Sequence, residues 1–209
     1  MKLAMFGGSF NPVHIGHLFL AEEVRVICGY DLVLFIPAYI SPFKPAEADG
    51  RDTAGRSGSS VPSINDRLAM IELAIAGNEQ FRLERCEVDR GGISYTYDTL
   101  QYVLTRFGER LDEPPGLIIG DDLVADFGLW RRAAELAEQS RIIVARRSSI
   151  EMSSAEGHGF GYPHRTIENV RFPVSSSDIR ERIKKGKGWR YLVPQEVYRY
   201  ICERNLYEY

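Results

Sequence analysis

Four short apolar runs constrain this chain more than any other feature. They are Leu3-Ala4-Met5-Phe6, Leu32-Val33-Leu34-Phe35-Ile36, Leu117-Ile118-Ile119 and Ile142-Ile143-Val144-Ala145. A strand with one wet face alternates apolar and polar residues, whereas a strand covered on both faces does not. These runs do not alternate. Between them lie longer stretches, such as Leu18 to Ile27 and Leu68 to Ile75, with apolar residues at helical spacing. Strands alternating with helices predict an α/β fold: a doubly wound, Rossmann-like parallel sheet with helices on both faces. Right-handed crossovers then bring the loops after the strands to one edge of the sheet, where ligands bind in open α/β folds.

The remaining punctuation fills in the order. Gly29 suits the end of a helix from about His17 to Ile27. Ser63-Ile64-Asn65-Asp66 fits a capping box for a helix ending at Gly77. Phe81 to Val88 reads as an alternating strand, and Thr96 as the N-cap of a helix over 97–107. Ala133 to Gln139 is a short helix. Ser148 to Thr166 reads as loop, and Asn169 to Pro173 as the last strand. A helix follows Ser175, and a final helix has Pro194 as its first residue. The whole of 1–209 reads as a single domain. Residues 46–62, rich in Gly, Ser and charge, read as a flexible loop insertion, and 175–209 as a small C-terminal helical part.

A formal net charge of -3 offers no broad basic field, which argues against a nucleic-acid partner. No apolar stretch approaches the roughly 18 residues of a membrane span, and the glycine-broken N-terminus is no signal peptide. The 3 cysteines, Cys28, Cys86 and Cys202, form no C-x-x-C. Reduced, mostly buried thiols and a cytoplasmic location are therefore expected. A homo-oligomer is left open.

Chemistry concentrates in Gly7-Gly8-Ser9-Phe10-Asn11-Pro12-Val13-His14-Ile15-Gly16-His17. A strand, a glycine turn and a helix start make an anion site, because the first N–H groups of a helix have no intrahelical partner and carry positive potential. Gly7 and Gly8 would let phosphates approach the backbone. His14 and His17, three apart, fall on one side, and each imidazole can donate to a phosphate oxygen. The string is neither the dinucleotide fingerprint G-x-G-x-x-G nor a P-loop, which counts against an NAD-dependent oxidoreductase. A metal site is not expected, since neither this H-x-x-H nor His158 and His164 has an acid or cysteine at ligand spacing.

Other positions admit two readings each. Ser175-Ser176-Ser177-Asp178-Ile179-Arg180 forms a second N-terminal anion site, or an ordinary cap. Asp121-Asp122, just past a strand, can hold a ribose hydroxyl or cap a helix. Lys44, in a proline-stiffened loop, either reaches a polyphosphate or is a solvated surface lysine. Thr96 caps its helix or meets a ligand. Trp130 stacks on a flat ligand with Arg131-Arg132 on that ligand's carboxylate or phosphate, or it is a core tryptophan followed by two surface arginines.

The pattern G-G-S-F-N-P-x-H-x-G-H resembles the nucleotidyltransferase superfamily with the H-x-G-H signature. Further strings are Ser94-Tyr95-Thr96, Ile118-Ile119-Gly120-Asp121-Asp122-Leu123 with Phe127 and Trp130, Ala145-Arg146-Arg147, Ser175 to Arg180 and Tyr191-Leu192-Val193-Pro194. In this order they resemble the bacterial nicotinate-nucleotide adenylyltransferases nearly end to end. The resemblance implies that ATP and nicotinate mononucleotide give nicotinate adenine dinucleotide and pyrophosphate, a late step in NAD synthesis. Mg²⁺ would arrive with ATP rather than in a carboxylate cage.

Carried over from the family, Gly8, Ser9 and Phe10 would line the ATP turn, with His14 and His17 on its phosphates. Gly120, Asp122, Ser175, Ser176, Ile179 and Arg180 would hold adenosine and phosphate. Thr96, Trp130 and Arg147 would receive the mononucleotide, with Trp130 on the pyridine ring. His14, His17, Lys44 and Arg180 would be the catalytic set. The family's Ile-Pro-Asn and Pro-His-Lys are here Ile36-Pro37-Ala38 and Pro42-Phe43-Lys44, and its Arg-Pro-Gly is Arg147-Ser148-Ser149. These departures leave a preference for nicotinamide mononucleotide as an alternative. A non-catalytic ATP sensor on the same fold is another.

Overall fold

The computed structural model describes residues 1–42, 61–146, 160–170 and 172–208. Six strands form one sheet: β1 (Leu3–Gly8), β2 (Leu32–Pro37), β3 (Phe81–Leu83), β4 (Gly116–Gly120), β5 (Arg141–Ala145) and β6 (His164–Ile167). Their order is β3-β2-β1-β4-β5-β6, and every neighbouring pair is parallel. This is the doubly wound order, with its reversal between β1 and β4.

Successive side chains of a strand point to opposite faces, and both faces here are dry. Ala4, Phe6, Val33, Phe35, Ile118 and Ile143 pack on one side. They meet helices α1 (Ile15–Cys28), α2 (Ile64–Ile75), α6 (Ser176–Lys184) and α7 (Gln195–Glu203) through Val24, Ile71, Ile179 and Ile201. Leu3, Met5, Leu34, Ile36, Leu117, Ile119 and Val144 pack on the other side. There they meet α3 (Cys86–Arg90), α4 (Thr96–Phe107) and α5 (Ala133–Gln139) through Cys86, Leu100 and Leu136. That two-sided burial is why the strands carry no alternation.

Local chemistry sets the ends of the elements. Gly29 closes α1 at φ 70, a left-handed position that costs glycine little. Ser63 and Asp66 cap α2 reciprocally: the Ser63 N–H donates to the Asp66 carboxylate at 2.8 Å and the Asp66 N–H to Ser63 Oγ at 3.2 Å.

Five expectations require correction. The strand expected over 81–88 stops at Leu83. The Glu84 N–H still donates to the Phe35 carbonyl at 2.9 Å, then Arg85 (φ -94, ψ 5) turns the chain into α3. The apparent alternation there mixes a short strand with a helix face. The last strand among the described residues is His164–Ile167, largely within the expected loop, in place of the expected Asn169–Pro173; of that stretch residue 171 lies outside the described residues. It lies at the sheet edge with only Ile167 buried, so it leaves no apolar run to read. Beyond it, the Asn169 side chain imitates one more ladder rung: its Oδ1 accepts from the Arg146 N–H at 2.8 Å and its Nδ2 donates to the Arg146 carbonyl at 2.9 Å. Thr96 is the first residue of α4, and the cap position belongs to Tyr95, which makes no side-chain cap bond. Pro194 is likewise the cap of α7 and not its first residue. Of the thiols, Cys86 is buried but Cys202 is exposed. Lys44, Arg147, His158 and nearly all of 46–62 lie outside the described residues.

Candidate functional site

The turn between β1 and α1 sits at the carboxyl edge of the sheet, beside the reversal of strand order. His14 is the cap of α1 and His17 lies one turn in. The His14 backbone N–H donates to Nδ1 of His17 at 3.2 Å. In the neutral ring the proton therefore sits on Nε2, the atom able to donate to a phosphate oxygen. The two imidazoles stack with centroids 3.6 Å apart and planes 26° from parallel. His14 is 1% exposed and His17 7%.

Both histidines line a cavity of about 460 Å³ together with Asp122, Ser175, Arg146 and Asn169. That volume suits a small-molecule ligand. Gly16 allows this packing, because a Cβ there would lie 2.9 Å from Val174 Cγ1 and 3.1 Å from the His14 ring. The other glycines divide their roles. Gly7 has open space where a Cβ would stand, but at Gly8 that space is filled by the Phe10 ring 3.1 Å away. Phe10, at φ 47, buries its ring against Phe6 and the edge of His17, with centroids 5.0 Å apart from the latter. Its side chain is core, which leaves Phe10 only its backbone to offer a ligand.

The turn is clamped from far along the chain. Ser176 Oγ donates to the Pro12 carbonyl at 2.8 Å, and Arg180 to the Asn11 carbonyl at 2.7 Å. The Tyr207 hydroxyl donates to Asn11 Oδ1 at 2.6 Å. Arg67, 4% exposed, donates to the Ser9 carbonyl at 2.9 Å. Ser175 caps α6, accepting from the Asp178 N–H at 3.1 Å and donating to its carboxylate at 2.7 Å.

The expected residues therefore separate into three groups. His14, His17, Asp122 and Ser175 meet at the cavity. Gly120 ends β4, Ser9 lies within the turn with its carbonyl held by Arg67, and Ser176 and Arg180 support the turn from behind. Ile179 is fully buried in the core, and its N–H is taken by the Ser175 carbonyl at 3.1 Å, so its side chain is not part of the cavity wall.

The third group, Thr96 and Trp130, stands apart from that cavity. Trp130 is half-buried and packs on Phe127 with centroids 5.1 Å apart. Arg131 pairs with Asp98 at 3.0 Å and lies over the Tyr95 ring, while Arg132 pairs with Glu135 and lies over the Tyr97 ring. The segment thus crosses the start of α4, where Thr96 sits. Both arginines have acidic neighbours as partners.

Arg67, Arg146, Asn169 and Tyr207 escaped sequence reading as site residues. Their roles come from contacts with distant residues, which leave no local pattern. Among the described residues no group of three or more His, Cys, Asp and Glu side chains is placed to hold a metal ion.

The Cytidylyltransferase-like family model matches residues 5–182. A curated protein of Treponema pallidum, named "Probable nicotinate-nucleotide adenylyltransferase", is 39% identical over 214 residues, covering 99% of each chain. The chain belongs to the nicotinate-nucleotide adenylyltransferase family. Relatives of the same name include one from Trichlorobacter lovleyi, 36% identical with 100% of both chains covered, and one from Borrelia hermsii, 35% identical. Family membership fits the H-x-G-H turn and the serine-capped α6 facing it. A solved structure of Plasmodium falciparum nicotinic acid mononucleotide adenylyltransferase complexed with NaAD has the same fold, with a TM-score of 0.74 at 17% identity, covering 99% of this chain and 97% of that one. The described helices include none long and apolar enough to cross a membrane.

Proposed function

We propose that this enzyme transfers the adenylyl group of ATP to nicotinate mononucleotide, forming nicotinate adenine dinucleotide and pyrophosphate in NAD biosynthesis. The observation that carries the reading is the stacked His14–His17 pair at the base of a ligand-sized cavity, faced by Ser175 at the start of α6. The mononucleotide phosphate attacks the α-phosphorus in line. One P–O bond forms as the bond to the pyrophosphate oxygen breaks, and the leaving group carries the electron pair away. Among the described residues nothing in the site resembles an activated nucleophile, and the mechanism needs none. Catalysis rests on positioning and on donors aimed at the developing phosphate charge.

His17, with Nδ1 occupied as an acceptor, presents Nε2–H as such a donor. Asp122, at the cavity rim, suits a ribose hydroxyl. Trp130 offers an indole face to the pyridine ring, with Thr96 near it and Arg147 on the same substrate. Lys44 and Arg180 assist on the phosphate side, Arg180 by holding the turn. Mg²⁺ enters as part of the ATP substrate, carried by phosphate oxygens and water. The cytoplasm, with its ATP and reduced thiols, is the fitting compartment.

A coupled pyrophosphate-release assay with ATP and either mononucleotide tests this. Release with the nicotinate form, favoured about tenfold or more over the amide, is the expected result and corresponds to at least about 1.4 kcal/mol. A tenfold preference for the amide would overturn the substrate, and no release with either would overturn the reaction.

A further inference from the structure

Arg67 lies on α2, outside the cavity, yet it is one of the most enclosed cations among the described residues at 4% exposure. Its Nη1 donates to the Ser9 carbonyl at 2.9 Å and to the Ala38 carbonyl at 2.7 Å, and its Nη2 to the Tyr39 carbonyl at 3.3 Å. Ser9 belongs to the turn after β1, and Ala38 and Tyr39 to the loop after β2. One guanidinium therefore spans the two loops.

The second loop is itself joined to the start of α4. The Tyr39 N–H donates to Ser94 Oγ at 2.9 Å, the Ser94 N–H donates to the Ile40 carbonyl at 2.8 Å, and Ile40 and Ile93 form a parallel bridge. Two residues beyond Ser94 is Thr96. The helix that carries Arg67 is anchored in turn: Asp66 accepts from the Tyr200 hydroxyl at 2.8 Å and from Arg204 Nε at 2.9 Å. Burial of a guanidinium is costly unless its donors are satisfied. Its planar fork can reach several carbonyls at once, which a lysine ammonium on a single stem reproduces poorly.

We propose that Arg67 is a positioning residue that sets, through the loop after β2, the separation between the triphosphate turn and the start of α4, where Thr96 receives the mononucleotide. This rests on the reaction proposed above, in which those two regions hold the two reactants. Arg67 touches neither reactant. It fixes the gap that the attacking phosphate must close, and a misplacement of about 1 Å can cost about a hundredfold in rate.

The test is steady-state kinetics with both substrates on wild type, Arg67→Lys and Arg67→Ala, with thermal melting of each. Arg67→Ala is expected to lose about 10- to 100-fold in kcat, with both KM values within about threefold of wild type. Arg67→Lys is expected to fall between the two, and added guanidinium ion to restore part of the Arg67→Ala rate. A folded Arg67→Ala protein with wild-type kcat, or one that changes KM alone, would overturn the proposal. If the arginine variants do not fold, Ser94→Ala breaks the same connection further out. It is expected to lower kcat about 3- to 10-fold at unchanged KM for ATP, and an unchanged kcat overturns the proposal. Wild-type turnover decides the reaction. The ratio of variant to wild type, taken with whichever mononucleotide reacts, decides Arg67, and no turnover with either sinks both.

Discussion

The two halves of the proposed site are built on different principles. Around His14 and His17 every part is held from behind: buried rings, a glycine with no room for a Cβ, and four distant side chains bonded to the turn. Around Thr96 and Trp130 the side chains are half-exposed, and the arginines beside them pair with Asp98 and Glu135. The first half resembles a protein core that happens to face a ligand. The second resembles a surface. Donors for developing charge gain most when they are fixed before the reaction starts, so rigidity belongs where the triphosphate is cleaved. Recognition of a flat ring needs area and a stacking face, which a half-exposed indole supplies without such bracing.

This contrast can be tested from both sides. The largest effect is expected from His17→Ala: a fall of about 10²–10³ in kcat, by analogy with lost oxyanion donors, at an unchanged KM for the mononucleotide. Steady-state kinetics would measure it, and a loss of less than about tenfold would remove the claim that the buried half carries the chemistry. Trp130→Ala should act on the other half. Loss of a stacked ring, at about 1–3 kcal/mol, should raise KM for the mononucleotide about fivefold or more and leave KM for ATP alone. An equal rise in both would mean that the halves are not separate.

The smallest effect concerns the ground under the second half. Glu87 is 6% exposed and accepts from Thr99 Oγ1 at 2.5 Å. Burial pushes its carboxyl above the ordinary 4.5, against the lowering effect of hydrogen bonds from Thr99 and Ser94 and of nearby Arg90. The folded state thus favours the neutral acid. Its contribution to stability is complete below the ordinary carboxyl range and is lost as pH rises through the elevated folded value. Glu87→Gln should remove that slope. Melting curves of both proteins between pH 4 and pH 8 should diverge upward, with the variant the more stable at the alkaline end. Parallel curves would mean that Glu87 does not change charge on folding.

Legibility in the sequence followed the range of the contacts. The doubly wound sheet could be read because burial on both faces imprints itself on each strand separately, as in Leu32 to Ile36. The H-x-G-H turn could be read because all its parts lie within eleven consecutive positions. β6 could not, since a lone buried Ile167 on an edge strand makes no pattern. Neither could α3, where helix and strand periods overlap across Phe81 to Val88. Ile179 was placed with the ligand because its neighbours in the serine string face the cavity, while helical geometry turns its own side chain into the core. Arg67 and Tyr207 had no local signal at all. Their partners lie 58 and 196 positions away.

The bond between Tyr207 and Asn11 has a consequence for how the enzyme comes into being. Asn11 leaves the ribosome 196 residues ahead of its side-chain partner. A growing polypeptide can assemble its early strands and even expose the histidine pair, but that partner is still inside the translation machinery. The fully braced form of this turn thus waits for Tyr207, four residues past the end of α7, to dock on Asn11.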